Sequence, residues 1–228
     1  MTARPNDRPS DDTPPDDGRA TRGTRPVRQS RHRVMAVIRE AAIAEFSLHG
    51  LKGTSTQAIA ERAGLTKPQL HYYISGKEAF YAELLQSVMM AWKLEFAPAH
   101  LTRPADILAN YVRAKLDHAF DHPEVSRIFT REILDGGHNL GHYWPNARAW
   151  VQGEVDVING WIARGLMPPM NAHLLLMNIW AMTQHHADFA LQMRAICGDG
   201  TGAPPFDRAM VVHELTTFVL RGCGLSHS

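Results

Sequence analysis

Residues 54–78 read TSTQAIAERAGLTKPQLHYYISGKE, and their punctuation decides the fold. Thr54 and Gln57 stand three apart, as do Thr66 and Gln69. Each pair has the residue types of a reciprocal capping box, in which a hydroxyl and an amide exchange hydrogen bonds with the first-turn backbone. Pro68 fits a first turn, where an amide N–H has no helical partner to lose. Gly64 can take the left-handed conformation that closes a helix, and Leu65 adds one apolar plug. Two short capped helices around a tight glycine turn make a helix-turn-helix.

Outward toward the N-terminus, Val34, Val37, Ile38, Ala41, Ala42 and Phe46 recur at helical period, which predicts an amphipathic first helix from Arg31 to Gly50. Residues 1–29 are rich in Pro, Asp, Arg, Thr and Gly, with too little apolar content to offset the entropy of ordering, so a disordered tail is expected there. Asp7, Asp11, Asp12, Asp16 and Asp17 make its start acidic, whereas the stretch from Arg19 to Arg33 carries only arginines as fixed charges. That basic end serves either as a solubilising arm or as an extension touching DNA phosphates or the minor groove.

Outward toward the C-terminus, a fourth helix is expected from Gly76-Lys77-Glu78 through Phe80, Leu84, Leu85, Val88 and Trp92 toward Pro98. Further helices are predicted near 105–121, 124–135, 143–165, 171–197 and 206–221, separated by Pro and Gly. No β-alternation competes. The expected fold class is all-α, with a tail over 1–29, a three-helix helix-turn-helix domain over 30–76 and a helical bundle over 77–228. A chain of 228 residues with 44% apolar content can fill such cores, and its net charge of +1 hides the local asymmetry. Cys197 and Cys223 lie in no disulfide or zinc spacing, and no apolar run has membrane-spanning length or signal-peptide form, so a cytoplasmic protein is expected.

Residues 37–85, VIREAAIAEFSLHGLKGTSTQAIAERAGLTKPQLHYYISGKEAFYAELL, resemble the DNA-binding domain of TetR-family regulators almost from end to end. The diagnostic run is IAERAG, then a capped short helix ending in a tyrosine pair, then KEA. Ser75-Gly76 departs from the Pro-Ser usual before the Lys-Glu. The resemblance implies a homodimeric repressor that binds double-stranded operator DNA and answers to a small-molecule effector through residues 77–228. No cofactor, metal or enzymatic activity is expected.

The helix from about Lys67 to Ile74 is then the recognition helix, which enters the major groove. Leu70 and Tyr73 should pack inward against Ile59 and Phe46. Gln69 and His71 are expected to read base edges, Gln69 matching adenine N6/N7. Thr54, Thr66, Lys67, Tyr72 and Lys77 are the expected capping and phosphate-contacting set.

Three further segments, KEAFYAELL at 77–85, HPEVSRIFTREILDGG at 122–137 and IWAMTQHHADFALQ at 179–192, resemble the pyrimidine-responsive group of that family, which implies a uracil-like effector. His186 stands where that group is expected to carry tyrosine. On an ideal helix Met177, Trp180, Gln184, Asp188 and Leu191 share an arc of about 80°. An aromatic plate, an amide and a carboxylate on one face suit a flat polar ring, and Met177, Trp180, Gln184 and Asp188 are the candidate effector residues. The same face could instead pack in a four-helix dimer interface. Arg127 and Arg131 are candidate partners for Asp188.

Alternatives stay open: a regulator of this type with an unrelated apolar or nucleobase effector, an enzyme built on Asp188 and His185, or a helical adaptor. The histidine pairs His118/His122, His138/His142 and His185/His186 flank Pro or Gly or adjoin each other, so they do not form a metal-binding helix face.

Overall fold

The computed structural model describes residues 2, 25–91 and 95–226. Most of the expected tail, up to residue 24, and Trp92 of the fourth helix lie outside the described residues. Among these there are ten helices and no strand: α1 Arg25–Gly53, α2 Thr56–Arg62, α3 Lys67–Tyr73, α4 Lys77–Ala91, α5 Pro104–Asp121, α6 Pro123–Leu134, α7 Trp144–Ala163, α8 Ala172–Asp188, α9 Ala190–Cys197 and α10 Arg208–Gly222.

α1 begins at Arg25, before the expected Arg31, and is kinked at Gly50, whose φ of 67° breaks the helical run. Ile38, Ala41, Ala42 and Phe46 are buried as the period requires, whereas Val37 is 45% exposed. α2 closes on Gly64 at φ 69°. Leu65 N–H bonds to Ala60 O at 2.9 Å and Gly64 N–H to Glu61 O at 3.1 Å, the paired 6→1 and 5→2 bonds of a Schellman motif. That closure sets the angle at which α3 leaves.

Two apolar clusters organise the chain. The first joins Ile38 and Phe46 of α1, Ile59 and Ala60 of α2, and Leu70 of α3 to Phe80, Tyr81, Leu84, Leu85 and Met89 of α4. It also takes in Ile128 of α6 and Leu140. The second joins α5, α7, α8 and α10 through residues such as Leu108, Leu116, Ile158, Trp161, Leu176, Ile179 and Leu220. α6 is therefore shared, for Ile128 is buried in the first cluster while Ser126 reaches toward α8. Glu132, near its other end, accepts from Tyr81 Oη of α4 at 3.1 Å and from the Asn139 backbone at 2.7 Å.

The single helix expected over 171–197 is two helices. α8 stops at Asp188, and Phe189 has φ −110° and ψ 21°. Asp188, the last residue of α8, accepts from Ser126 Oγ at 2.7 Å and Thr130 Oγ1 at 2.5 Å. A half-buried carboxylate needs such donors, and they lie on α6.

Candidate functional site

Among the described residues the expected polar sites fall in two places, a surface on α3 and a cavity bordered by α5, α6, α7 and α8. On α3, Thr66, Lys67, Gln69 and His71 are exposed, as is Tyr72 at 73%, while Leu70 is fully buried and Tyr73 half-buried against the first cluster. Leu70 thus anchors the helix and turns its polar residues outward. Arg31 of α1 adds a cation to this surface, its guanidinium 5.9 Å from the Tyr72 ring centre.

The second capping box forms as the spacing predicts. Gln69 N–H donates to Thr66 Oγ1 at 3.4 Å, and Gln69 Oε1 accepts from Thr66 N–H at 2.8 Å and from Thr66 Oγ1 at 3.0 Å. A backbone N–H only donates, so the amide oxygen faces the cap and the amide NH2 faces away. In this arrangement the outward end of Gln69 is its NH2 group.

Thr54 is corrected outright. Its side chain is buried at 2% exposure and its one hydroxyl proton is shared between Gly50 O at 2.8 Å and Glu45 O at 3.1 Å, out of reach of any phosphate. Ser55 takes over as the cap of α2, accepting from Ala58 N–H at 3.0 Å, and Gln57 pairs with Glu61 instead. Lys77 donates to Thr54 O at 2.9 Å, which ties the start of α4 to the α1–α2 corner, and its ammonium lies 3.8 Å from Glu78 Oε1.

The cavity has a volume of about 770 Å³. Met177, Trp180 and Gln184 line it, together with Thr183 and His173 of the same helix. Asp188 does not line it, being bound to Ser126 and Thr130, and Leu191 lies beyond the α8 break, 75% exposed. The arginines expected to neutralise Asp188 are placed elsewhere: Arg127 meets Glu124 at 3.3 Å and Ala187 O at 3.4 Å, and the Arg131 side chain lies against Gly50.

Inside the cavity Trp180 Nε1 donates to Tyr111 Oη at 2.8 Å, which donates to Glu154 Oε2 at 3.3 Å. The Lys115 ammonium lies 5.4 Å from the Tyr111 ring centre and 5.7 Å from that of Trp180. Burial pushes Lys115 down to about 8, with Glu154 opposing part of the shift. Burial raises the Glu154 carboxyl above the usual range, against the pull of Lys115 and Tyr111. His118 is pushed down to about 4 by burial and by the nearby His122 and Lys115, so it is neutral near pH 7. Trp144, Trp150, Tyr143, Phe96 and Phe129 complete an aromatic wall.

Tyr111, Lys115 and Glu154 escaped sequence reasoning, yet each left a trace. Lys115 falls inside the apolar stripe Leu108, Tyr111, Val112, Leu116 and Ala119, and Glu154 inside the stripe Val151, Val155 and Ile158. A charge within a buried stripe is a cavity signal. The histidine pairs hold no metal cluster among the described residues, and His118 and His122 face each other at 5.1 Å between ring centres.

A helix-turn-helix head fused to an all-helical sensor with an internal cavity is the architecture of a ligand-gated transcription regulator. The chain belongs to the TetR family: residues 38–84 match the profile of bacterial regulatory proteins of the tetR family, and residues 85–226 match the C-terminal region of YcdC-like proteins. It is 36% identical over 166 residues to the HTH-type transcriptional regulator RutR of Escherichia coli K12, covering 71% of this chain and 77% of that protein. The ketosteroid transcriptional regulator KstR2 of Mycobacterium tuberculosis shares the fold with a TM-score of 0.65 at 22% identity, covering 83% of this chain and 94% of that one. A TetR-like regulator from Rhodococcus sp. RHA1 superposes with a TM-score of 0.60 at 19% identity, over 89% and 99% of the two chains. Regulators of this family bind operator DNA, dimerise and respond to small-molecule effectors. The protein is accordingly a transcription regulator and not an enzyme. No helix among the described residues is long and apolar enough to cross a membrane.

Proposed function

We propose that this regulator is a cytoplasmic repressor whose operator affinity falls when a planar, uracil-like heterocycle occupies the cavity among α5, α7 and α8. Residues 30–76 serve as the reading head and residues 77–228 as the sensing and dimerising part. Lys67, Gln69, His71 and Tyr72 meet the major groove and its flanking phosphates, with Thr66 holding the start of α3 and Lys77 contributing charge at the edge. Two copies related by a two-fold axis read half-sites about one helical turn apart. Leu174 of α8 and Met210 and Phe218 of α10, 54% to 65% exposed, supply an apolar face for that pairing.

The observation that carries the effector reading is a donor, an acceptor and an amide set among aromatic faces. The Lys115 ammonium suits a ring carbonyl, Glu154 a ring N–H, Gln184 either, and Trp180 offers a stacking plate. The three segments resembling the pyrimidine-responsive group point the same way. Coupling follows because α6 borders the cavity through Ser126 and Phe129 and also enters the core of the head through Ile128. A ligand that binds one α6 position more tightly than another shifts the spacing of the two heads by linkage.

Calorimetric titration with uracil, thymine and xanthine tests this, with heat expected from uracil and thymine and release of the protein from its own upstream DNA in parallel. A flat trace with uracil removes the pyrimidine reading. A second reading rests on the volume of about 770 Å³, which admits ligands larger than a single ring. Heat from xanthine or from a bulky apolar compound alone would select it.

A further inference from the structure

We infer that Gln69 reads a hydrogen-bond acceptor edge in the operator, guanine before any other base. The inference rests on the reading that α3 lies in the major groove. It follows from how α3 begins. Gln69 is the third residue of a seven-residue helix, and its side chain closes the capping box. Its Oε1 accepts at 2.8 Å from Thr66 N–H and at 3.0 Å from Thr66 Oγ1, so both lone pairs are in use.

Swinging the amide out to offer that oxygen to a base would leave the Thr66 N–H without its partner and loosen the first turn of the helix that does the reading. The exposed end of Gln69 is therefore its NH2 group, which donates twice and accepts nothing. Lys67 beside it is also a pure donor. Guanine presents two acceptors, O6 and N7, on one major-groove edge, whereas adenine couples one acceptor to a donor, thymine has one acceptor beside a methyl group, and cytosine presents a donor. A donor-only side chain matches guanine best and is repelled by cytosine.

Gln69→Glu inverts this surface without touching the cap. A carboxylate oxygen accepts from Thr66 N–H as the amide oxygen does, glutamate being the commonest partner in such boxes, while the second oxygen turns the outer end from donor to acceptor. Binding-site selection from randomised DNA, run with full-length wild-type and Q69E protein, compares base preference position by position rather than overall affinity. The wild type is expected to enrich guanine at one symmetry-related pair of positions. Q69E is expected to move that pair alone to cytosine, with about a tenfold to hundredfold change in the guanine-to-cytosine ratio, and to keep its melting temperature.

Adenine at that pair in the wild type shows an amide reading with both ends and overturns the inference. Identical preferences in the two proteins overturn it as well, since Gln69 then reads no base. A wild-type protein that enriches nothing defeats the operator reading itself, and this inference with it. A Q69E protein whose melting temperature drops shows the cap was not kept. Gln69→Asp, too short to close the box, then serves as reference: guanine preference surviving in Q69D overturns the inference, and its loss at that pair supports it.

Discussion

The reading head and the sensing bundle are held by hydrogen bonds of different reach. In the head, the caps around the reading surface close within a few residues, Thr66 to Gln69 and Ser55 to Ala58, while Lys77 to Thr54 spans 23 and Arg39 to Ser87 of α4 spans 48. In the bundle, the partners of the cavity residues lie 43 residues apart for Tyr111 and Glu154, 69 for Trp180 and Tyr111, and 62 for Ser126 and Asp188. A surface built from local caps keeps its shape whenever its helices form. A cavity built from distant pairs exists only when the whole bundle is packed, and it can be shifted by anything that repacks one helix.

Breaking the α6–α8 tether should show that difference most strongly. Asp188→Ala strands the Ser126 and Thr130 hydroxyls, Ser126 being buried at 1% exposure. The expected loss is about 2–3 kcal/mol of stability and a fall in melting temperature of about 4–12 °C. Operator affinity without effector should stay within about twofold while the effector no longer releases DNA. Full release by effector in D188A would show that the tether carries no coupling.

A smaller effect isolates the charge in the cavity. Lys115 is depressed to about 8, so below that pH the free protein already carries the ammonium that a ring carbonyl needs. Above it, binding must take up a proton, and effector affinity should fall as pH rises through about 8. Lys115→Met should weaken binding about tenfold at pH 7 and flatten that limb. Calorimetry across pH 6.5 to 9 separates the two proteins, and a wild-type affinity level across that range would remove Lys115 from the effector contacts.

The smallest expected change lies in the head. Lys67→Ala should weaken operator binding several-fold and evenly across sequences, and lower the slope of log affinity against log salt by about one. A change confined to one base pair would make Lys67 a base reader instead of a phosphate contact.

The two regions also differed in how far they could be read from the chain. The capping box at Thr66 and Gln69, the glycine turn and the inward Leu70 were legible, because each depends on residues within one or two turns. The cap of α2 was misplaced by one residue, onto Thr54, since Thr54 and Ser55 are both good caps and only packing against the α1 corner buries one of them. In the bundle the face holding Met177, Trp180 and Gln184 was legible from helical period, but Asp188 was assigned to the cavity with them. The helix ends at that residue, and its carboxylate finds donors on α6.

What the amino-acid order determined by itself was the helical class, the helix-turn-helix and its caps, and the family to which they belong, because period, capping and turn chemistry act over a few residues. What only the tertiary structure decided was which polar groups stay available. Thr54 was withdrawn into the core and Asp188 into a tether, while Lys115, Tyr111 and Glu154 were gathered around one cavity. Burial and distant partners govern those outcomes, and a linear chain does not display either.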